Sequence, residues 1–140
     1  MVFLTQLNIY TDGASRSNPG KSASGYSLLD ADNNVLMKKS FYNGIKTNNE
    51  AEYLAIIAAL LAASENYGYD VDIDLYSDSR LVVSQINGDF KVKNEGLKKM
   101  HAEAAGLVGK FRICRLHNVP RENEYISRVD ADLNLLLDKY

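Results

Sequence analysis

Hydrophobic and polar positions along this chain change period several times, and each change marks a different element. Residues 3–10 and 22–42 read as strands, the second stretch broken at Asp30-Ala31-Asp32-Asn33-Asn34, a cluster suited to a hairpin turn. Three consecutive antiparallel strands are predicted. From Asn48 to about Asn66 the chain is made of helix formers, with no Gly or Pro until Gly68, whereas Val71 to Tyr76 alternates with period two. A helix followed by a strand implies a crossover connection. A short helix over 79–86 is ended by Asn87-Gly88, and a longer one over 95–108 precedes Gly109. A strand over 111–117 and a last helix from Ser127 to the C-terminus complete the order βββαβααβα. That order predicts an α/β fold in three layers, a five-stranded mixed sheet with helices on both faces.

The 140 residues, 46% hydrophobic and 24% charged, have ordinary globular composition and enough length for one compact domain over 1–140. No stretch is apolar enough to span a bilayer, so no membrane partner is expected, and Met1 to Leu7 lacks the basic and apolar regions of a signal peptide. The single cysteine, Cys114, has no intrachain partner; it fits a buried thiol in a reducing cytoplasm rather than a nucleophile. A net charge of −2 excludes a protein that coats nucleic acid by bulk electrostatics. Any nucleic-acid contact must be local, with Lys91, Lys93, Lys98, Lys99, Arg121 and Arg128 as candidates, although for any one lysine taken alone a solvated face is the better reading.

Four carboxylates carry the chemistry. Asp12 and Asp78 each directly follow a predicted strand, and ligands of open α/β sheets bind beyond the carboxyl ends of the strands. Alone, Asp12-Gly13 is a turn dipeptide, so the case rests on the set. Glu52 is the only charged residue from Ala51 to Ala63, in a helix apolar enough to be packed on most sides. Burying an unpaired carboxylate costs several kcal/mol, so Glu52 either lies at an exposed first turn, favoured by the helix dipole, or faces a cation. Thr47 and Glu50 form a capping box, leaving Glu52 free for either role. The fourth acid is Asp130 or Asp132. Two apart on a helix, they do not share a face, and both flank the apolar stripe of Val129, Leu133, Leu136, Leu137 and Tyr140 at similar angles, so periodicity does not choose. Such a carboxylate set suits hard divalent cations, two of which can clamp the attacking and leaving oxygens of a phosphodiester displacement. His101 and His117 make no zinc pattern, and there is no Gly-rich phosphate loop or nucleophile elbow.

The segments Tyr10 to Gly20, Thr47 to Tyr53, Tyr76 to Ser79, Asn87 to Lys93 and Val119 to Glu122 closely resemble type 1 ribonuclease H, in particular its short bacterial and archaeal branch, in the same order through nearly the whole chain. The resemblance implies an endoribonuclease that cuts the RNA strand of RNA–DNA hybrids and leaves 5′-phosphate and 3′-hydroxyl ends. Asp12, Glu52, Asp78 and an acid of the last helix would hold two Mg²⁺ ions, for which Mn²⁺ would substitute. Gly13, Ala14 and Asn48, with Glu52, would read RNA 2′-hydroxyls, while Asn18, Thr47 and Asn49 would grip the DNA strand. The family pattern Asn-Glu-Arg-x-Asp selects Asp130 if Tyr125-Ile126-Ser127 is an insertion; Ala131-Asp132 offers the competing register. Where the longer branch has a basic protrusion, this chain has only Lys91 and Lys93, so modest substrate affinity is expected. Arg121, ahead of His117, would replace a product-release histidine. A monomer is expected. The rivals are a related nuclease acting on DNA and an inactive hybrid-binding module.

Overall fold

A computed structural model of the chain describes residues 4–140; residues 1–3, where the first strand was expected to start and where the signal-peptide reading in part rests, lie outside the described residues. Five strands form one sheet: β1 (Gln6–Ser15), β2 (Gly20–Leu29), β3 (Val35–Lys46), β4 (Asp72–Ser77) and β5 (Ile113–Asn118). The helices are α1 (Asn48–Tyr67), α2 (Arg80–Ile86), α3 (Glu95–Val108) and α4 (Glu124–Leu137). The sheet order is β3-β2-β1-β4-β5, with β1–β2–β3 antiparallel and β4 and β5 parallel to β1. This is the expected βββαβααβα mixed sheet.

The differences lie at the ends of elements. β1 runs on to Ser15, so Asp12-Gly13 is not a turn but a pair of strand residues opposite Gly25 and Ser24 of β2. The long β1–β2 pairing carries the ladder past the point where apolar alternation stops. α4 begins at Glu124, one turn ahead of the expected start, because the Asn123 side chain accepts hydrogen bonds from the backbone of Tyr125 and Ile126 and caps the helix there. The β2–β3 turn forms at the expected cluster, its Asp30 carboxylate accepting from the backbone of Asp32 and Asn34.

Alternation along β1 splits the core into two layers. Leu7 and Ile9 join Leu28, Ile73 and Leu75 under Tyr53, Ile56 and Leu60 of α1, with Leu97 and Leu107 of α3 behind them. On the other face Tyr10, Ala23 and Leu29 meet Ile126, Val129, Leu133 and Leu137 of α4. α1 is thus packed against both the sheet and α3, as its apolar sequence requires. No helix of the described residues is long and apolar enough to cross a membrane. Cys114 packs half-buried against the first core layer, where burial pushes its thiol up to about 12.

Two glycines set the approach of the helices to β1 and β2. A β-carbon on Gly13 would lie 2.3 Å from the backbone carbon of Ala51, and one on Gly25 would lie 2.8 Å from Leu133 Cδ2. Gly106 of α3, by contrast, is exposed and has open space around it. Gly13→Ala should therefore destabilise the protein by about 3 kcal/mol, since backbone rather than a flexible side chain must yield, whereas Gly106→Ala should gain about 0.5–1 kcal/mol. Urea unfolding of the two variants checks both signs.

Candidate active site

The cleft forms where β1, β4, α1 and α4 converge. Asp12 comes from β1 on the α4 face of the sheet, Asp78 follows the last residue of β4, Glu52 comes from the second turn of α1, and Asp130 from the second turn of α4. One carboxylate oxygen from each of Asp12, Glu52 and Asp78 lies within 4.8 Å of the other two. A cleft of about 410 Å³ is lined by these three together with Asp130, Gly13, Ala14, Asn48, Asn49 and Arg121.

Short local bonds hold each acid. Gly13 N–H donates to Glu52 Oε1 at 3.0 Å, and Ser77 Oγ donates to Oε2 at 3.4 Å. Ser24 Oγ in turn donates to the Ala51 carbonyl at 2.6 Å, tying the first turn of α1 to β2. The capping box forms as expected, Thr47 Oγ1 accepting from Glu50 N–H and Glu50 Oε1 from Thr47 N–H, so Glu52 is not the capping acid. Asn48 accepts from Ser15 N–H at 2.9 Å and donates its own N–H to Asn18 at 3.0 Å, closing the rim between β1 and α1. Asn18, Thr47 and Asn49 line an adjoining hollow with Asn94 and Gly96.

Electrostatics mark this cleft as a place built for cations. Burial, and after it the carboxylates of Asp78 and Asp130, push Asp12 up to about 8. Burial followed by Asp12 and Asp78 raises Glu52 against the opposing Gly13 N–H. Asp78 is also raised, chiefly by burial and further by Asp130, while Arg121 opposes the shift. Repulsion and desolvation of this kind are relieved by a divalent ion. The donor set, all carboxylate oxygen with no thiol or imidazole, fits Mg²⁺ or Mn²⁺ rather than zinc.

The remaining candidates separate. Asp132 turns away from the cleft and sits 3.7 Å from Lys38 on β3, so of the two ambiguous acids it is Asp130 that lines the cleft with the other three. Arg121 lines the cleft, whereas His117 stacks on Tyr76 and meets Asp74 at 2.7 Å on the uncovered part of the sheet. Asp74, bonded first by Arg115 and then by His117 and Gln6, is held below the usual carboxylate range. Lys91 and Lys93 lie between α2 and α3; Lys91 lines a different hollow with Gln85, Phe90 and His101, and neither lysine lines the acid cleft. Lys98 pairs with Glu95, and Arg128 with Glu124. Ser24, Ser77 and Ser79 escaped the sequence reading; Ser79 lines the cleft and caps α2, and only its place after Asp78 hinted at this.

A family model described as reverse transcriptase-like matches residues 10–129. Ribonuclease HI of Halobacterium salinarum is 38% identical over 133 residues, 95% of this chain and 65% of that protein. The chain belongs to the type 1 ribonuclease H family. It spans just under two thirds of the length of that curated relative. Among solved ribonuclease H structures, the crystal structure of RNase H1 from Halobacterium salinarum superposes with a TM-score of 0.89 at 38% identity, over 96% of this chain and 99% of that one. LC11-RNase H1 in complex with an RNA/DNA hybrid superposes with a TM-score of 0.88 at 35% identity, over 95% and 97%.

Without metal, the cleft makes stability depend on pH. Folded Asp12 keeps its proton up to about pH 8, while in the unfolded chain it releases it near the ordinary value of 3.8. Between those values the folded state binds more protons, so stability falls as pH rises. In EDTA, Asp12→Asn should accordingly be more stable than the parent at pH 8 by on the order of 2 kcal/mol, with the advantage vanishing near pH 4. Denaturant unfolding at the two pH values measures this; an equal difference at both would contradict it.

Proposed function

We propose that the chain is a metal-dependent endoribonuclease, a single catalytic domain that hydrolyses the RNA strand of RNA–DNA hybrids and leaves 5′-phosphate and 3′-hydroxyl ends. The observation that carries this reading is the convergence of Asp12, Glu52, Asp78 and Asp130 on one cleft in which three carboxylates are raised by burial and mutual repulsion. Those four residues would hold two Mg²⁺ ions, or Mn²⁺ in their place. When bound, such ions supply an activated water and neutralise charge on the departing 3′-oxygen. LC11-RNase H1, whose complex contains an RNA/DNA hybrid, supports the substrate class.

The chain's own groups divide the remaining work. Glu52, fixed by Gly13 N–H and Ser77 Oγ, presents its carboxylate in one orientation. Gly13, Ala14 and Asn48 offer polar groups at the cleft wall, positioned to meet a ribose hydroxyl, the group that distinguishes RNA from DNA. The adjoining hollow of Asn18, Thr47 and Asn49 takes a phosphate of the second strand without reading sequence. Arg121, facing Asp78, screens the carboxylates and assists departure of the anionic product. Lys91 and Lys93, outside the cleft, add remote phosphate contacts.

Incubation with labelled RNA–DNA hybrid, duplex RNA and duplex DNA, in Mg²⁺ and in EDTA, tests the reading. Cleavage confined to the RNA of the hybrid and lost in EDTA is expected; cutting of duplex DNA would point to a DNA nuclease instead. Asp12→Asn, Asp78→Asn and Asp130→Asn should each lose roughly two orders of magnitude or more in rate, while Asp132→Asn stays within about threefold of the parent. Replacing Lys91 and Lys93 with Ala should raise KM more than it lowers kcat.

A further inference from the structure

Four aromatic rings form a row just below the carboxylates. Tyr10 and Tyr76 are register partners across β1 and β4, and Tyr76 and His117 across β4 and β5. Their centroids stand 4.8 and 4.9 Å apart, with planes 15° and 25° from parallel. Tyr125, in the first turn of α4, closes the row on Tyr10 at 4.8 Å, and the Arg128 guanidinium lies over the Tyr125 ring.

The members of this row do different jobs. β1, β4 and β5 are joined by backbone hydrogen bonds that hold neighbouring strands about 4.8 Å apart whatever their side chains. α4 has no such ladder, so its position over the sheet depends on side-chain packing and contacts, which at its far end include Lys38 with Asp132 and Arg16 with Asn134 and Asp138. Near the cleft that packing is Tyr125 on Tyr10, with Ile126 and Val129 buried beside it. The turn that carries Tyr125 is Tyr125-Ile126-Ser127, just ahead of Arg128-Val129-Asp130, and the Asn123 cap fixes it by bonds of 3.0 and 3.2 Å to its backbone. Tyr10 and Asp12, two apart on β1, point to the same face of the sheet, so a ring seated on Tyr10 places α4 relative to Asp12.

We propose that Tyr125 is a positioning residue for Asp130: its stack on Tyr10 sets the height and rotation of the first turns of α4, and with them the distance from the Asp130 carboxylate to Asp12. The inference rests on the reading of Asp130 as a metal ligand. The phenol oxygen has no part in it; the ring face does. Tyr125→Phe therefore keeps the function, and Tyr125→Ala or Tyr125→Leu removes it.

Two readouts test it: the metal-induced rise of the thermal-unfolding midpoint, followed against Mg²⁺ and Mn²⁺ concentration, and the Mg²⁺ concentration giving half-maximal hybrid cleavage. For Tyr125→Ala both half-saturating concentrations should rise roughly three- to tenfold, the fold-change to which the loss of one aromatic pair converts. Tyr125→Phe should stay within about twofold of the parent. In an Asp130→Asn background, removing the ring should add no further change in metal requirement, which is the coupling expected of two residues acting through one another. Should Tyr125→Ala not fold, Tyr125→Leu takes its place in the same comparison. A midpoint lowered equally with and without metal at unchanged half-saturation, or an undiminished effect in the Asp130→Asn background, overturns the positioning role. If Asp130→Asn leaves metal dependence untouched, both the ligand role of Asp130 and this inference fall; if it alters that dependence while Tyr125→Ala does not, only the inference falls.

Discussion

Two missing β-carbons decide how near the helices come to Asp12. Gly13 follows that residue on β1, and Gly25 faces it on β2. Over Gly13 the backbone of α1 passes so closely that any side chain would collide with Ala51, and over Gly25 the space is taken by Leu133 and Val129 of α4. Only at that separation can Gly13 N–H reach Glu52, and only there does Asp130 come near enough to raise Asp12. The cleft is therefore a consequence of packing distance at one rung of the sheet. Both helices are brought to it by cores on opposite faces, so neither layer alone would assemble the four acids.

Gathering carboxylates in this way costs stability, and the fold offsets the cost locally. Glu52 keeps two hydrogen bonds, the α1 start has its own cap and the Ser24 tie, and Arg121 partly screens Asp78. None of these neutralises the cluster. A site in which burial and like charge both favour protonation is strained toward binding cations, a common compromise between stability and function. The contrast with Asp74 is instructive. That carboxylate has Arg115, His117 and Gln6 around it and is lowered rather than raised, which is how an acid recruited for structure behaves.

Element types were legible in the sequence because hydrophobic period and Gly or Pro punctuation are local properties. Glu52 stood out because one charge in an apolar helix has few tolerable places. Asp12-Gly13 was harder: a dipeptide that normally turns is here held extended by the β1–β2 ladder, a long-range pairing no local pattern reports. The choice between Asp130 and Asp132 needed the rotation of α4 about its axis, and Lys38 on β3 is what receives the acid that faces away. His117 offered no sign that it would be taken up by Asp74, since that contact joins residues of different strands, His117 reaching Asp74 from the position opposite Tyr76. The row of Tyr125, Tyr10, Tyr76 and His117 was invisible for the same reason. Its members are scattered over more than a hundred positions and meet only when β1, β4 and β5 come into register.

Charge at the cleft also constrains the order of events on the proposed reading. Asp12, Glu52, Asp78 and Asp130 line it, with Arg121 as the cationic side chain among the described lining residues. A polyanion approaching such a surface meets repulsion at the very place where its backbone must settle, and the chain's net charge of −2 provides no long-range attraction to compensate. The outer hollow of Asn18, Thr47 and Asn49 carries no such penalty, being largely neutral amide and hydroxyl apart from Glu50, which the cap engages. Hybrid can thus be held by its second strand while the scissile strand settles only as cations fill the carboxylates. Occupancy by cations and seating of the RNA strand are then thermodynamically coupled, each raising the affinity for the other by the same factor. Neutral grip on one strand and charge-gated seating of the other follow from the same distribution of acids that makes the metal-free cleft unstable.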